Sequence, residues 1–312
     1  MPASPLDSTV DLSTRQMRMF CAVYRLRSYA AAGREAGLST SAAWEQVKEI
    51  QKVYGVDLFS RRGRQVEPTA AGERLHELLQ PLIAGIDSTR KALLDTQESQ
   101  PSRVTIASAV RMMLEEVSIA LREFRRLHPE VTVTVLQCDA GDAQRIVDEG
   151  HADVALTLEP GPGYAGDHVD LEPAYAIDYL LVAPARHELG AKRAVRLSDL
   201  TRYPLILPNE GSYSRHVLDQ ALHRQGIDAK LDVAVETANS AFTLACVRAG
   251  LGVGVVAGRG DGPLCKGLVV RSLRRLLGRA RIVFVWKRGV IVPPTLRSLA
   301  ETIRSEQALS RG

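Results

Sequence analysis

Two short helical patterns separated by a tight turn occupy Arg27–Arg64, RSYAAAGREAGLSTSAAWEQVKEIQKVYGVDLFSRRGR, and few arrangements accommodate them. Tyr29, Ala32, Gly33 and Ala36 predict a compact first helix of small side chains, with Ser28 as its N-cap. Gly37 supplies the left-handed backbone that a residue with a Cβ would resist. Ser39 then caps a second helix that turns Ala42, Ala43, Val47 and Ile50 to one side. Small groups at Ala32, Gly33, Ala36 and Ala42 let the two helices cross closely, which is the shape of a helix-turn-helix.

Charge bears on the partner of this module. The window Arg15–Arg64 holds ten basic and four acidic side chains, a net +6, whereas the whole 312-residue chain carries only +4. A basic module on a nearly balanced remainder can hold phosphates without making the entire protein adhesive. An ordinary solvated surface on a small helical domain is the competing explanation. Tyr54, Val56, Leu58 and Phe59 can close the core of the module, together with Met17, Phe20, Cys21 and Tyr24 from a preceding helix. The basic stretch from Ser60 to Pro68 reads as a hairpin-like wing. It can set Arg61, Arg62 or Arg64 beside a nucleic-acid backbone, or serve only as a solubilising turn.

From Thr69 a longer helix is expected, reaching about Thr96 and spanning roughly 40 Å at 1.5 Å per residue. Leu75, Leu79, Leu82, Ile86 and Leu93, with Thr89 completing the series, recur with alternating four- and three-residue spacing, the pattern of a side-by-side helix seam. That seam either pairs two chains or packs within one. A polar break at Gln97–Ser102 follows. Beyond it, strand and helix patterns alternate, the first helix marked by the apolar positions Leu114, Val117, Leu121 and Phe124, and predict parallel α/β packing in two lobes with a ligand cleft between them. Pro173–Leu181 and Pro263–Val269 are expected as extended crossings between the lobes, and Arg281–Trp286 as a strand rejoining the first.

Other classes are disfavoured. The composition, 45% hydrophobic and 24% charged, is ordinary for a folded soluble protein. The start lacks the basic and apolar regions of an export signal, and its prolines, Pro2 and Pro5, predict a loose segment. Cys21, Cys138, Cys246 and Cys265 are spaced too irregularly for a disulfide or metal framework, so a reducing cytoplasm is expected. The seven histidines form no HExxH motif, and Gly250–Gly254 lacks the full GxGxxG context, its glycines instead permitting a tight helix-to-strand approach. No catalytic residue, cofactor, metal or membrane association is expected.

The ordered set of MRMFCAVYRLRSYAAAGREAGLSTSAAWEQVKEIQKVYGVDLFSRRGRQVEPTAAGERL, REFRRLHPEVTV, DEGHADVA and VRAGLGVGVVA resembles bacterial LysR-type transcriptional regulators over nearly the whole chain. The resemblance implies an N-terminal winged helix-turn-helix and a long dimerising linker helix. These precede a two-lobed, periplasmic-binding-protein-like effector domain, α/β overall. The corresponding bounds are 12–68 for the DNA-binding domain, 69–97 for the linker helix, 103–175 plus 267–308 for lobe 1, and 177–264 for lobe 2. Implied partners are double-stranded promoter DNA, a small polar or anionic effector, and further copies of the chain as homodimer or homotetramer. RNA polymerase is a further candidate.

At the recognition helix the family pattern is close to Ser-Gln-Pro-Ala-Leu-Ser-Arg-Gln. Here it reads Ser39-Thr40-Ser41-Ala42-Ala43-Trp44-Glu45-Gln46. Candidate DNA-binding residues are Ser39, Thr40, Ser41, Trp44, Glu45, Gln46, Lys48, Arg62 and Arg64. Trp44 either contacts DNA or plugs the core, and Glu45 either accepts from a base or is a solvated charge. Candidate effector-binding residues, at strand ends and helix starts, are Ser108, Ala109, Cys138, Thr157, Asn209, Ser212 and Asn239. Cys138 is either a redox sensor or a buried packing group. A second functional reading is a ligand-responsive protein-interaction regulator with weakened or lost sequence-specific DNA binding.

Overall fold

The computed structural model describes residues 11–62, 65–94, 103–161, 166–227 and 231–309. The expected loose start, the polar break after Gln97 and the wing residues Gly63 and Arg64 lie outside them. The chain divides into an N-terminal unit that ends at Leu94 and takes in Arg288–Ile291, and a C-terminal unit made of the remainder.

In the N-terminal unit, α1 (Thr14–Leu26), α2 (Tyr29–Glu35) and α3 (Thr40–Tyr54) precede the strands β1 (Phe59–Arg62) and β2 (Gln65–Pro68), then α4 (Ala70–Leu94). Ser28 and Ser39 cap as expected: their hydroxyls accept from the Ala31 N–H (3.2 Å) and the Ala42 N–H (3.1 Å). Gly37 takes φ +67°, the left-handed conformation the turn requires. Met19, Phe20, Val23, Ala32, Ala43, Val47, Ile50 and Leu58 form the core these helices enclose. β1 and β2 pair antiparallel from Phe59↔Pro68 to Arg62↔Gln65, giving the wing. Gln51 ties the wing root to α3, accepting from the Leu58 N–H (3.2 Å) and donating to Asp57 (3.0 Å).

The C-terminal unit is built on one mixed nine-stranded sheet. Its elements are β3 (Arg103–Ser108), α5 (Val110–Met112), a π-helical turn (Met113–Val117), α6 (Ser118–Leu127), β4 (Thr132–Gln137), α7 (Ala143–Asp148), β5 (Val154–Leu158) and β6 (Val169–Ala183). There follow β7 (Pro204–Pro208), α8 (Tyr213–His223), β8 (Asp232–Thr237), α9 (Ser240–Arg248), β9 (Val253–Gly258), β10 (Val269–Ser272), α10 (Arg274–Leu277), β11 (Arg279–Lys287) and α11 (Pro294–Leu309). The strand order is β4-β3-β5-β11-β6-β9-β7-β8, with β10 also on β6. The βαβ segments are parallel as expected, β3 with β4 and β5, and β7 with β8 and β9. The returning strand β11 is antiparallel to both β5 and β6.

Of the two expected crossings, one is extended and one is not. Pro173–Leu181 is extended as expected, the middle of a continuous 15-residue strand whose first part pairs with β11 and whose last part pairs with β9 and β10. Pro263–Val269 is not extended: Pro263–Cys265 forms a 3-10 turn. Because β10 lies on the last part of β6, the return to lobe 1 begins near Arg279 rather than at residue 267. The glycine run that leads into β9 acts as expected. A Cβ at Gly254 would lie 2.8 Å from Thr243 Cγ2 and 2.9 Å from Val247 Cγ2, so α9 can approach the strand only because no side chain is there.

Candidate nucleic-acid interface and effector cavity

The inward face of α3 is closed by Ala43, Val47 and Ile50, leaving Thr40, Ser41, Trp44, Glu45 and Lys48 exposed. Trp44 is 43% exposed, so it does not plug the core. The Lys48 Nζ stands 5.7 Å from its ring centroid, within cation–π range. Ser39 is held by its cap and by a 3.0 Å contact with the Ser41 hydroxyl. Gln46 is half-buried, and its Oε1 is buried without a hydrogen-bond partner among the described residues. Arg18 and Arg25 are engaged by Asp87 and Glu35 within the unit. Arg62 lies on β1, and Arg64 lies outside the described residues.

The seam on α4 splits into two parallel rows. Leu75, Leu79 and Ile83, spaced four apart, face the helical core, where Leu75 and Leu79 are buried. The neighbouring row of Leu78, Leu82 and Ile86 is exposed, and so is Leu93. Leu75 and Leu79 therefore cannot belong to a surface seam: the small core of α1–α3 needs one edge of the stripe to close it. Only Leu82, Ile86 and Leu93 of the expected set remain available to another chain.

Between the lobes lies a cavity of about 300 Å³. It opens at the carboxyl ends of β4, β5 and β8, where α/β sheets present loops and helix N-termini to ligands. Ala109, Ser212 and Asn239 line it, and each is the N-cap of a helix start, α5, α8 and α9 respectively. The Ser212 hydroxyl accepts from the Arg215 N–H (3.2 Å) and donates to the Asn209 carbonyl (2.8 Å). Asn239 Oδ1 accepts from the Ala241 (3.0 Å) and Phe242 (3.1 Å) N–H groups. Thr157, 2% exposed, also lines the cavity.

Three expected residues lie outside the lining. Ser108 is fully buried and donates to the Leu156 carbonyl (3.0 Å). Cys138 packs among Ala107, Ala143, Val147 and Ala155, and burial, followed by the charges of Asp139 and Asp142, pushes its thiol up to about 11. That is the opposite of a reactive thiolate. Asn209 is exposed, with its carbonyl serving the Ser212 cap. Asp139, at the end of β4 where the effector site is expected, lines the cavity, and so do Gln144, Glu159 and His216, which sequence reasoning missed. Glu159 stands just past the end of β5, a position that could have singled it out. Glu159 is ion-paired with Arg281.

Arg111 lines the same cavity and anchors a buried charge cluster absent from the sequence reading. Its Nη1 donates to Glu115 (3.0 Å) and Glu116 (2.6 Å), and all three side chains are at most 4% exposed. The π turn places both carboxylates inward while leaving Leu114, expected on the inner face, 52% exposed. Glu115 also accepts from the Leu264 N–H (3.2 Å), bridging lobe 1 to lobe 2. Burial pushes the Glu116 carboxyl up, with Arg111 acting in the other direction. Burial, then the charge of Glu116, raises Tyr175 well above its ordinary value. Among the described residues, no group of His, Cys, Asp and Glu is arranged to hold a metal ion, and no helix is long and apolar enough to cross a membrane.

Comparisons with known proteins agree with this architecture. Residues 14–73 match the family model described as bacterial regulatory helix-turn-helix protein, lysR family, and residues 97–308 match LysR substrate binding domain. The uncharacterized HTH-type transcriptional regulator YfeR of Shigella flexneri is 25% identical over 299 residues, covering 95% of each protein. The RuBisCO operon transcriptional regulator of Allochromatium vinosum is 26% identical over 303 residues, covering 95% of this chain and 97% of that one. Among solved structures, full-length BenM superposes with TM-score 0.56 at 18% identity, covering 96% of this chain and 98% of its own. The cofactor-binding domain of the Cbl transcriptional regulator gives 0.59 at 21%, covering 68% and 93%. With both family models matched in order, around a capped helix-turn-helix and a two-lobed cavity, the chain belongs to the LysR family of transcriptional regulators.

Proposed function

We propose that this regulator binds promoter DNA as a homo-oligomer through α3 and its wing, and that a small polar or anionic effector in the inter-lobe cavity modulates that binding. The observation that carries the reading is the cavity itself. Three helix starts border it, and backbone N–H groups at a helix start favour a negative or strongly polar group. Ala109, Thr157, Ser212 and Asn239 would contact the ligand directly, with Ser108 and Cys138 shaping the wall from behind. A ligand bridging the lobes favours one lobe arrangement, and the oligomer transmits it as a change in how paired DNA-binding units engage two half-sites. The DNA surface comprises Ser39, Thr40, Ser41, Trp44, Glu45, Lys48, Arg62 and Arg64, with half-buried Gln46 at its edge.

The exposed row of Leu78, Leu82 and Ile86 suits self-association as a dimer, and a tetramer requires further surfaces on the C-terminal unit. In this reading the ligand is sensed in the cytoplasm and not transformed, and RNA polymerase is contacted at the promoter. The test is selection of genomic DNA fragments with the purified full-length chain, followed by footprinting and affinity measurement with candidate small acids present and absent. Ligand binding with unchanged footprint, affinity and promoter output refutes the coupling. One observation favours a second reading, a ligand-responsive protein-interaction regulator: the exposed carboxylate of Glu45 on the outward face of α3 repels phosphate. Fragment selection that recovers no defined site decides for it.

A further inference from the structure

The outward face of α3 carries an aromatic side chain where solvent, rather than core, surrounds it. Trp44 follows Ala43, which is fully buried, and precedes Val47, which is 1% exposed, so the helix is firmly seated and the indole is directed away from its packing. Lys48 is one turn further on and stands over the ring. Ser41 and Glu45 flank it on the same exposed face. Beside the ring a cleft of about 190 Å³ runs toward Tyr29, Phe59 and Val66 at the wing root. The face therefore combines an apolar plate, a cation and an acceptor, on a unit whose Arg15–Arg64 window is strongly basic.

We infer that Trp44 is a specificity-determining residue that reads the C5-methyl group of a thymine in the major groove. The inference rests on the reading of α3 as the DNA-contacting helix. The only apolar feature that a base pair offers in the major groove is that methyl. An indole held by Lys48 presents a broad, low-entropy apolar surface to it, and Lys48 stays close to the phosphate backbone that neutralises its charge. Glu45, adjacent to Trp44, can only accept. Its partner in the groove is therefore an exocyclic amino group, cytosine N4 or adenine N6. The preferred half-site places a thymine within a base step of a cytosine or adenine. Repulsion between Glu45 and phosphate makes a mismatched site poorer, so the pair increases discrimination more than affinity.

The experiment uses the full-length chain. Sites are selected from a random DNA library with wild type, Trp44→Phe, Trp44→Ser and Glu45→Gln, after thermal unfolding shows comparable folding. Each thymine of the wild-type site is then replaced by deoxyuridine, which keeps every hydrogen bond and removes only the methyl. At one or two positions wild type is expected to lose about fourfold in affinity, equivalent to ~0.8 kcal/mol for a buried methyl-sized group. Trp44→Phe retains part of that sensitivity. Trp44→Ser loses it and accepts other bases there, and Glu45→Gln relaxes the neighbouring position. A defined wild-type site with no deoxyuridine-sensitive position overturns the inference while leaving DNA recognition by α3 intact, as does equal sensitivity in wild type and Trp44→Ser. Failure of wild type to select any site overturns both.

Discussion

Removing the buried cation of the Arg111 cluster tests whether the two lobes are held by charge. Arg111→Met keeps a side chain of similar reach and deprives Glu115 and Glu116, at 3% and 0% exposure, of the cation that hydrogen-bonds to both. Two charge-assisted hydrogen bonds, at 3.0 and 2.6 Å, disappear. Each such bond contributes roughly 1.5–3 kcal/mol. Breaking a buried pair from one side costs about 3–5 kcal/mol, because the abandoned charge stays desolvated. The expected loss for the C-terminal unit is therefore about 3–5 kcal/mol at neutral pH, a large part of a domain's stability. Urea unfolding followed by the fluorescence of Trp286, which is 5% exposed in this unit, reads it.

The pH dependence separates charge from packing. Without Arg111 the buried Glu116 carboxyl binds a proton more readily in the folded than in the unfolded chain, so the deficit shrinks as pH falls through its raised value. Arg111→Met combined with Glu116→Met is expected to recover much of the loss, since a buried pair replaced by apolar groups is often neutral. A single-variant deficit below ~1 kcal/mol, or one independent of pH, refutes the assignment of a desolvated ion cluster.

Four further outcomes follow from the same structure. Burial raises the Glu116 carboxyl, so its contribution favours the folded state below the ordinary carboxylate range and is lost as pH rises through the raised value. Glu116→Gln should flatten that decline in urea titrations across pH. Leu79→Ala should destabilise the N-terminal unit by about 2–5 kcal/mol in thermal unfolding, because its side chain is 3% exposed in the helical core. Leu82→Glu, at a site 56% exposed, should leave that stability within ~0.5 kcal/mol and instead shift sedimentation toward smaller species. Gly254→Ala should cost about 1–3 kcal/mol, by forcing α9 away from β9, measured as a lower urea midpoint.

Local chemistry in the sequence reached a long way. Ser28, Gly37 and Ser39 specify the turn because caps and left-handed backbones depend on neighbouring residues alone. Long-range pairing was less accessible. The crossing at Pro173–Leu181 is legible as extended but its partners are not: Pro173 pairs opposite Val283 beside a register shift, where a missing N–H is tolerated. The π turn was invisible to a 3.6-residue period, so Leu114 was expected inside and Glu115 and Glu116 were not. Ser108 is in register with Leu156 rather than Thr157, and strand alternation turns the two hydroxyls to opposite faces of the sheet. Only Thr157 consequently lines the cavity. On α4, periodicity found the apolar stripe but could not say which of its edges the chain itself would cover.

Strand β6 also dictates an order of events during synthesis. Its last part can find β9 and β10 once the residues through Ser272 have emerged, whereas its first part waits for β11. The helix α11, whose Leu299, Ala300 and Ile303 are buried, comes later still. Lobe 2 can thus assemble around half a strand while the other half remains an unpaired edge, the kind of surface on which neighbouring chains aggregate. Truncation before Arg279 should yield a chain that keeps lobe 2 but leaves β5 and the start of β6 open, and that collects in the insoluble fraction when expressed. In native-state amide exchange of the full chain, the last part of β6 should stay protected when the first part opens, because its pairing with β9 and β10 does not depend on β11.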